Sequence, residues 1–239
     1  MFIIRIAELN IKINNKYQYV ETICKDYLVD FNNFHNNDID FEVSVSDEEL
    51  LKEQQLGKFS KEYCESMCTY RNIVMQIIRY DAIFIHASVV ALGNNAFAFL
   101  AKSGTGKTTH TNLWLEYFKG DARIINGDKP ILRFKDNELY VYGTPWCGKE
   151  GYNINTSSKL RAMCFLERDE VNSIRAMAEG EFVTKLFHQV ILPNDTTYMD
   201  MFLSLVNRLV DIVPMYILKC NISEEAVTTA YNTLKKYMI

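Results

Sequence analysis

From Phe2 to Val45 the apolar positions fall in short runs of strand length, at Ile3 to Ala7, Ile11 to Ile13 and Ile39 to Val45. Val20 to Leu28 between them has helical spacing, and Phe31 to Asp38, with five asparagines and aspartates in eight residues, reads as a loop. Next, Tyr63, Met67, Tyr70, Val74 and Ile77 recur at spacings of four, three, four and three, the one-sided stripe of a helix packed on a core. Residues 1–80 are therefore expected to form a small N-terminal α/β subdomain, and residues 81–239 the main domain.

The main domain opens on two apolar runs, Ile83 to Leu92 and Ala96 to Leu100, separated by Gly93, Asn94 and Asn95 as in a hairpin. The second runs directly into a glycine-containing stretch, after which Thr109 to Phe118 has helical spacing with Gly120 as its stop. Further strands are predicted at Arg123 to Ile125, Ile131 to Phe134, Leu139 to Tyr142, Met163 to Leu166, Ser173 to Ala176 and Met215 to Cys220. Asp136 and Asn137 turn the second of these into the third. Helices are predicted at Phe182 to Leu192, Tyr198 to Val210 and Glu224 to Met238.

Composition narrows the class of protein without naming it. Apolar residues make up 48% and charged residues 23% of 239, ordinary globular usage. A net charge of -4 gives no general attraction to nucleic acid or an anionic membrane surface, so neither is an expected partner. No apolar run reaches the roughly 18 residues of a spanning helix, and the Met-Phe-Ile-Ile-Arg start lacks a charged stretch ahead of a long apolar one. A cytoplasmic protein is expected, its six cysteines reduced. Cys64 and Cys68, four apart on a helix, could form half a metal site, but no second pair accompanies them, and they read as core.

Chemistry enters at Ala101-Lys102-Ser103-Gly104-Thr105-Gly106-Lys107-Thr108, which matches a phosphate loop except for alanine at its first position. Small residues let successive backbone N–H groups turn around a phosphate, and the following helix presents its positive end to the same anion. In that pattern Ser103 to Thr109 bind the nucleotide, Lys107 bridges its outer phosphates, and Thr108 offers a hydroxyl to Mg²⁺. A carboxylate near the γ-phosphate is also required, and Asp128, at the end of a short strand and twenty residues past Thr108, stands where one is expected. Its Gly-Asp-Lys-Pro setting also suits a plain turn aspartate.

Taken in order, Ile85-His86-Ala87-Ser88, a strand, Ser103 to Thr109, and Asn126-Gly127-Asp128-Lys129-Pro130 resemble the catalytic core of the HPr kinase/phosphorylase family. That family shares its fold with phosphoenolpyruvate carboxykinase, and Gly143-Thr144-Pro145-Trp146-Cys147-Gly148-Lys149 is similar to a segment of small kinase-like relatives. The resemblance spans about residues 83 to 220. It implies an α/β fold of the carboxykinase-like type, with a phosphate-loop core of mixed β-sheets and helices over the C-terminal part. It further implies that His86 lies beside the γ-phosphate and that Asp128 is a metal ligand or base. The family has two adjacent aspartates where this chain has Gly127-Asp128, which leaves Asp128, His86 or no residue as the base.

Lys149 and Lys129 are candidates to clamp phosphate oxygens, with Lys129 read rather as an exposed loop lysine. Trp146 lines an acceptor pocket or belongs to the core, and His110 serves packing at the start of its helix. The expected function is transfer of the γ-phosphoryl group of ATP, or another nucleoside triphosphate, with Mg²⁺, to a hydroxyl of a protein, peptide or small metabolite. Two alternatives stand beside it: a nucleotide-binding regulator without turnover, and a carboxykinase-type lyase, for which the chain is short and a second metal cluster is not evident. Oligomeric state is open, a homo-oligomer included.

Overall fold

The structure is a computed structural model that describes residues 1–30 and 38–238. Of the loop expected over Phe31 to Asp38, all but Asp38 lies outside the described residues.

The N-terminal part is a three-stranded sheet of β1 (Phe2–Ile6), β2 (Leu9–Asn14) and β3 (Phe41–Ser44), with α1 (Gln18–Ile23) between the second and third. β1 and β2 are antiparallel and β3 joins β2 in parallel. The helix predicted to Leu28 ends at Ile23 and continues only as a 3₁₀ turn over Lys25–Tyr27. α2 (Asp47–Gln55) goes beyond the predicted elements, although its start carries a legible signal. Ser46 and Glu49 form a capping box, each side chain bonding the other's backbone N–H. α3 (Lys61–Ile77) bears the predicted stripe, capped by the Ser60 hydroxyl, which accepts from the Tyr63 N–H at 3.2 Å. Cys64 and Cys68 are buried on it.

Nine strands form the central sheet: β4 (Ala82–Phe84), β5 (Ala87–Leu92), β6 (Asn95–Leu100), β7 (Ala122–Asn126), β8 (Ile131–Lys135), β9 (Glu138–Tyr142), β10 (Ser157–Arg168), β11 (Ser173–Ala176) and β12 (Met215–Cys220). Their spatial order is β4-β8-β9-β10-β6-β5-β7, with β12 alongside the second half of β10 and β11 outside it. β6, β10 and β12 run parallel. Asp136 and Asn137, with φ of 50° and 60°, make the tight turn from β8 to β9. β10 is twelve residues long against the four predicted, because it has neighbours along its whole length.

Both faces of the sheet are covered. Ala87, Val89, Ala91, Ala98 and Leu100 face α5 (Glu179–Leu186) and α6 (Thr196–Ile212) through Phe182, Phe202 and Leu209. Val90, Leu92, Phe97 and Phe99 face α4 (Lys107–Phe118) and α7 (Glu224–Leu234) through Trp114, Val227 and Leu234. Strands buried on both faces read as unbroken apolar runs instead of alternating ones. That is why Ile83 to Leu92 reads as one strand when the structure divides it, β4 pairing with β8 and β5 with β6 and β7. The predicted helix from Phe182 to Leu192 likewise stops at Leu186, and the last helix ends at Leu234 before a 3₁₀ turn. Lys119, with φ of 50°, ends α4 in place of the expected Gly120.

A third apolar cluster joins the N-terminal sheet and α3 to Phe84, Ile131, Tyr142 and Trp146 of the central region. Trp146 is a core residue there, its indole N–H donating to Ser66 Oγ at 3.0 Å. Among the described residues no helix is long and apolar enough to cross a membrane.

Candidate functional site

The phosphate loop leaves the end of β6 at Leu100 and enters α4 at Lys107. Gly104 and Gly106 take φ of +77° and +119°, where a side chain is strained, although a Cβ at either would meet nothing within 4 Å. Their glycines thus serve backbone conformation. Thr105 N–H donates to the Lys102 carbonyl at 3.1 Å. The N–H groups of Gly104, Gly106, Lys107 and Thr108 engage no acceptor among the described residues, and α4 has no side-chain cap. An unpaired row of donors at a helix start is a site for an anion.

The loop's carbonyls, by contrast, are engaged by Arg168, at the end of β10. Its guanidinium donates to the carbonyls of Thr105 at 3.0 Å and Gly104 at 2.5 Å. The parallel pairing of β10 with β6 brings that arginine to the loop from 63 residues away, a placement that sequence spacing does not reveal. On the other side, the Thr111 hydroxyl lies 3.0 Å from Ser88 Oγ and ties α4 to β5.

Lys107 is buried, with Nζ donating to the Ala101 carbonyl at 3.2 Å and lying 3.2 Å from Nε2 of His86. Burial draws its ammonium below the ordinary lysine range; Asp128 opposes the shift and Lys129 adds to it. His86 occupies the break between β4 and β5. There Ile85 N–H bonds the Pro130 carbonyl at 3.4 Å and Ala87 N–H the Asp128 carbonyl at 3.1 Å, while His86 N–H bonds the Gln189 carbonyl at 2.6 Å. The two neighbours are thus pinned to the turn that carries Asp128, and the His86 ring comes to 2.8 Å from Asp128 Oδ1.

That turn is built by Asn126. Its side-chain oxygen accepts from the N–H groups of Asp128 at 2.9 Å and Lys129 at 2.7 Å, while its amide donates to the Thr144 carbonyl at 2.9 Å. Asn126 and Thr144 are fully buried, and the Thr144 hydroxyl donates to the Lys129 carbonyl at 2.7 Å. Lys129, expected to be exposed, is half-buried and pairs with Asp128 Oδ2. Burial works to raise the Asp128 carboxyl, but hydrogen bonds from His86 and Lys129 outweigh it and hold the group below the usual carboxylate range.

Gly127 is explained by crowding. A Cβ there would lie 3.0 Å from the Cys147 carbonyl oxygen and 3.4 Å from Tyr152, and its N–H bonds the Tyr152 carbonyl at 2.9 Å. The segment after β9 fills the space of a side chain at that position. Gly148 of the same segment packs on Asp128, where a Cβ would be 3.2 Å from the aspartate's own. Lys149 beside it is exposed and makes no hydrogen bond or ion pair among the described residues. Thr108 is half-buried and its hydroxyl is unengaged among the described residues; Ser103 and Thr109 are exposed.

Three cavities adjoin this cluster. One of about 610 Å³ lies between the loop, Phe165 to Arg168, and Lys185 with His188 and Gln189. A second, of about 670 Å³, is an open trough between α3 (Met67, Tyr70, Arg71) and residues 187–192, with His86 and Lys129 among its lining residues. A third, of about 630 Å³, begins at Thr105 and Gly106 and extends along α4. Gln189 lines both of the first two, is buried, and has a side-chain oxygen without a partner. Sequence reasoning missed Gln189 and Arg168, and it placed Asn126 in the turn without its role of holding Asp128.

No protein-family model matches the chain, and no curated protein matches it. Among solved structures, the fold is similar to that of the HPr(Ser) kinase/phosphatase from Coxiella burnetii, at 12% identity and a TM-score of 0.39, over 64% of this chain and 97% of that one. A likeness of that degree carries no argument, and the chemistry is read from the side chains.

Proposed function

We propose that the chain binds a magnesium-complexed nucleoside triphosphate, ATP for example, at Ser103 to Thr109 and transfers its γ-phosphoryl group to a hydroxyl of a protein, peptide or small metabolite. The observation that carries this reading is the contact chain Lys107, His86, Asp128, at 3.2 and 2.8 Å, set beside a row of free loop amides. A phosphate-facing cation, an acid/base group and a carboxylate are thereby neighbours, the set that phosphoryl transfer uses for positioning and charge neutralisation. The division into residues 1–80 and a nucleotide-binding unit over 81–239 belongs to the same proposal.

Roles follow from protonation. With Asp128 ionised, the His86 Nε2 proton is drawn to it; the Lys107 ammonium, which can only donate, gains nothing from that proton and keeps its bond to the Ala101 carbonyl. The lone pair then resides on Nδ1, which no described residue bonds. His86 is therefore the base that takes the acceptor's hydroxyl proton, with Asp128 orienting it, as in other carboxylate-histidine pairs. Asp128 itself is a poor base, because its two hydrogen bonds favour the ionised form.

Among the described residues no three His, Cys, Asp or Glu side chains gather. Mg²⁺ does not need such a cage, since one or two protein oxygens and the nucleotide's phosphates suffice. The free Thr108 hydroxyl and the Asp128 carboxylate, which has lone pairs beyond those used by His86 and Lys129, fit that donor set. Bound there, the ion would neutralise charge on the β- and γ-phosphate oxygens. Lys107 and the loop amides hold the same oxygens.

One observation favours the regulator without turnover: at Gly127 a side chain would press on the Cys147 carbonyl oxygen at 3.0 Å and on Tyr152 at 3.4 Å, so a second carboxylate there is crowded. Calorimetry with MgATP, followed by γ-labelled transfer to a panel of hydroxyl acceptors, separates the two. Transfer supports the kinase, binding without any turnover supports the regulator, and absence of magnesium-dependent binding rejects both.

A further inference from the structure

The trough beside His86 joins two distant parts of the chain, with α3 of the N-terminal part as one wall and the segment after α5 as the other. Of the three cavities that adjoin the cluster, it alone has His86 among its lining residues. An acceptor hydroxyl that gives its proton to His86 therefore comes from this side. The charges that line the trough are of one sign: Arg71 and Lys129 are present, and among the described residues no carboxylate is. Arg71 is paired with Glu53, but its side chain is 35% exposed and that of Glu53 only 10%, so the cation is the member of the pair that meets solvent. A guanidinium has N–H groups to spare beyond one such pair.

The opposite wall supplies the second observation. The backbone N–H and C=O groups of Val190, Ile191 and Leu192 engage no partner among the described residues. Just before them, the Gln189 carbonyl is taken by the His86 N–H at 2.6 Å, which fixes the start of this stretch next to the histidine. Pro193 draws Leu192 towards an extended conformation. Val190 and Ile191 are half-buried, and Leu192 is exposed at the rim. A small anion would use Arg71 and leave the unpaired backbone and the apolar rim untouched. An extended chain uses all three, since main-chain bonds supply affinity and side-chain contacts supply choice.

We propose that the trough receives the acceptor as an extended peptide segment, paired through its backbone with residues 190–192, with an acidic side chain on the Arg71 guanidinium and its hydroxyl residue at His86. The acceptor oxygen bonds the γ-phosphorus as the bond to the β–γ bridging oxygen breaks, its proton passes to His86 Nδ1, and a nucleoside diphosphate leaves. The inference rests on the phosphotransfer reading and narrows its acceptor to a peptide with a carboxylate close to the hydroxyl. It also gives α3 a task, as the element of the N-terminal part that selects the acceptor.

Binding tests this without requiring turnover. Short fluorescein-labelled peptides carry a central serine between leucines, with one aspartate placed in turn at each neighbouring position, and each has a twin with asparagine in its place. By anisotropy, the best aspartate peptide is expected to bind about tenfold more tightly than its twin. The double variant Arg71→Gln/Glu53→Gln removes the cation without stranding a buried carboxylate, and it should abolish that difference while leaving the asparagine peptide unaffected. Leu192→Asp, at an exposed position, keeps the test informative if the double variant does not fold; it should weaken the aspartate peptide more than its twin. Equal binding of the twins, a preference that survives both variants, or label transferred to glycerate with no peptide bound would overturn the proposal. Calorimetry with Mg²⁺ and inorganic tripolyphosphate, which fills the loop and carries no acceptor, reports on the loop separately. Tripolyphosphate binding without a peptide preference sinks this inference alone, and failure of tripolyphosphate to bind removes the loop reading and the acceptor role of the trough with it.

Discussion

The phosphate loop and the cluster facing it are built in opposite ways. Ala101 to Thr108 is contiguous, and its geometry follows from two glycines at positive φ between a strand end and a helix start. The His86 side is assembled from distant pieces: His86 from a break between strands, Asp128 from a turn held by buried Asn126, and the Gln189 carbonyl from beyond α5. The contrast teaches that binding the anion is a local property, whereas acting on it depends on the topology of the whole sheet. Substitutions in the two regions should therefore fail differently, and they can be ordered by how much each is expected to cost.

The largest effect is expected at Lys107, the one residue that belongs to both sides. Lys107→Ala removes a buried cation that reaches from the loop to His86. Transfer should fall by roughly 10² to 10³-fold, with MgATP affinity lowered in calorimetry as well. Loss of transfer with full affinity would place Lys107 with the facing cluster alone.

Next come His86→Asn and Asp128→Asn, which should sharpen the contrast by separating turnover from binding. Each is expected to lower kcat by about 10²-fold. Tripolyphosphate binding should survive in His86→Asn, since the loop amides do not depend on that ring. The two losses should be non-additive in the double variant, because His86 and Asp128 act as one unit through their 2.8 Å contact. Additive losses would mean that Asp128 works apart from His86.

Gly127→Asp tests whether the facing side can be rebuilt locally. The new Cβ would press on the Cys147 carbonyl at 3.0 Å, so urea unfolding should show a loss of about 1–3 kcal/mol. Transfer should not rise. A stable variant with faster transfer would show that the 147–152 segment yields and that one missing carboxylate limits this chain.

The same contrast explains what could be read from the residues alone. The loop, the start of α4 and the turn at Asp136-Asn137 are legible because each depends on neighbours a few positions away. The break at Ile85-His86 is not, since both β4 and β5 are buried on both faces and the apolar run carries no mark of the change of partners. Motif order placed His86 near Asp128, but nothing local distinguished Lys129, which pairs with Asp128, from Lys149, which stays in solvent. Asn126 was visible as the first residue of an Asn-Gly-Asp turn, and its burial under Thr144 depends on a segment 18 residues later.

Arg168 is the residue that makes even the local side depend on topology, and its predicted effect is the smallest. It touches only carbonyl oxygens, at Gly104 and Thr105, and it is exposed, so Arg168→Ala leaves no buried group stranded. The loop would keep its glycines and its helix but lose the tether that holds those carbonyls away from the anion. Two such bonds at the surface contribute about 1 kcal/mol, equivalent to about a fivefold loss of tripolyphosphate affinity. Arg168→Lys should recover little of it, because an ammonium cannot match the forked donation to two successive carbonyls. If affinity is unchanged in both variants, the loop is preorganised by its own sequence and the contrast between the regions is complete. If affinity falls by far more than fivefold, Arg168 touches the bound phosphate itself, and the anion site extends to the end of β10.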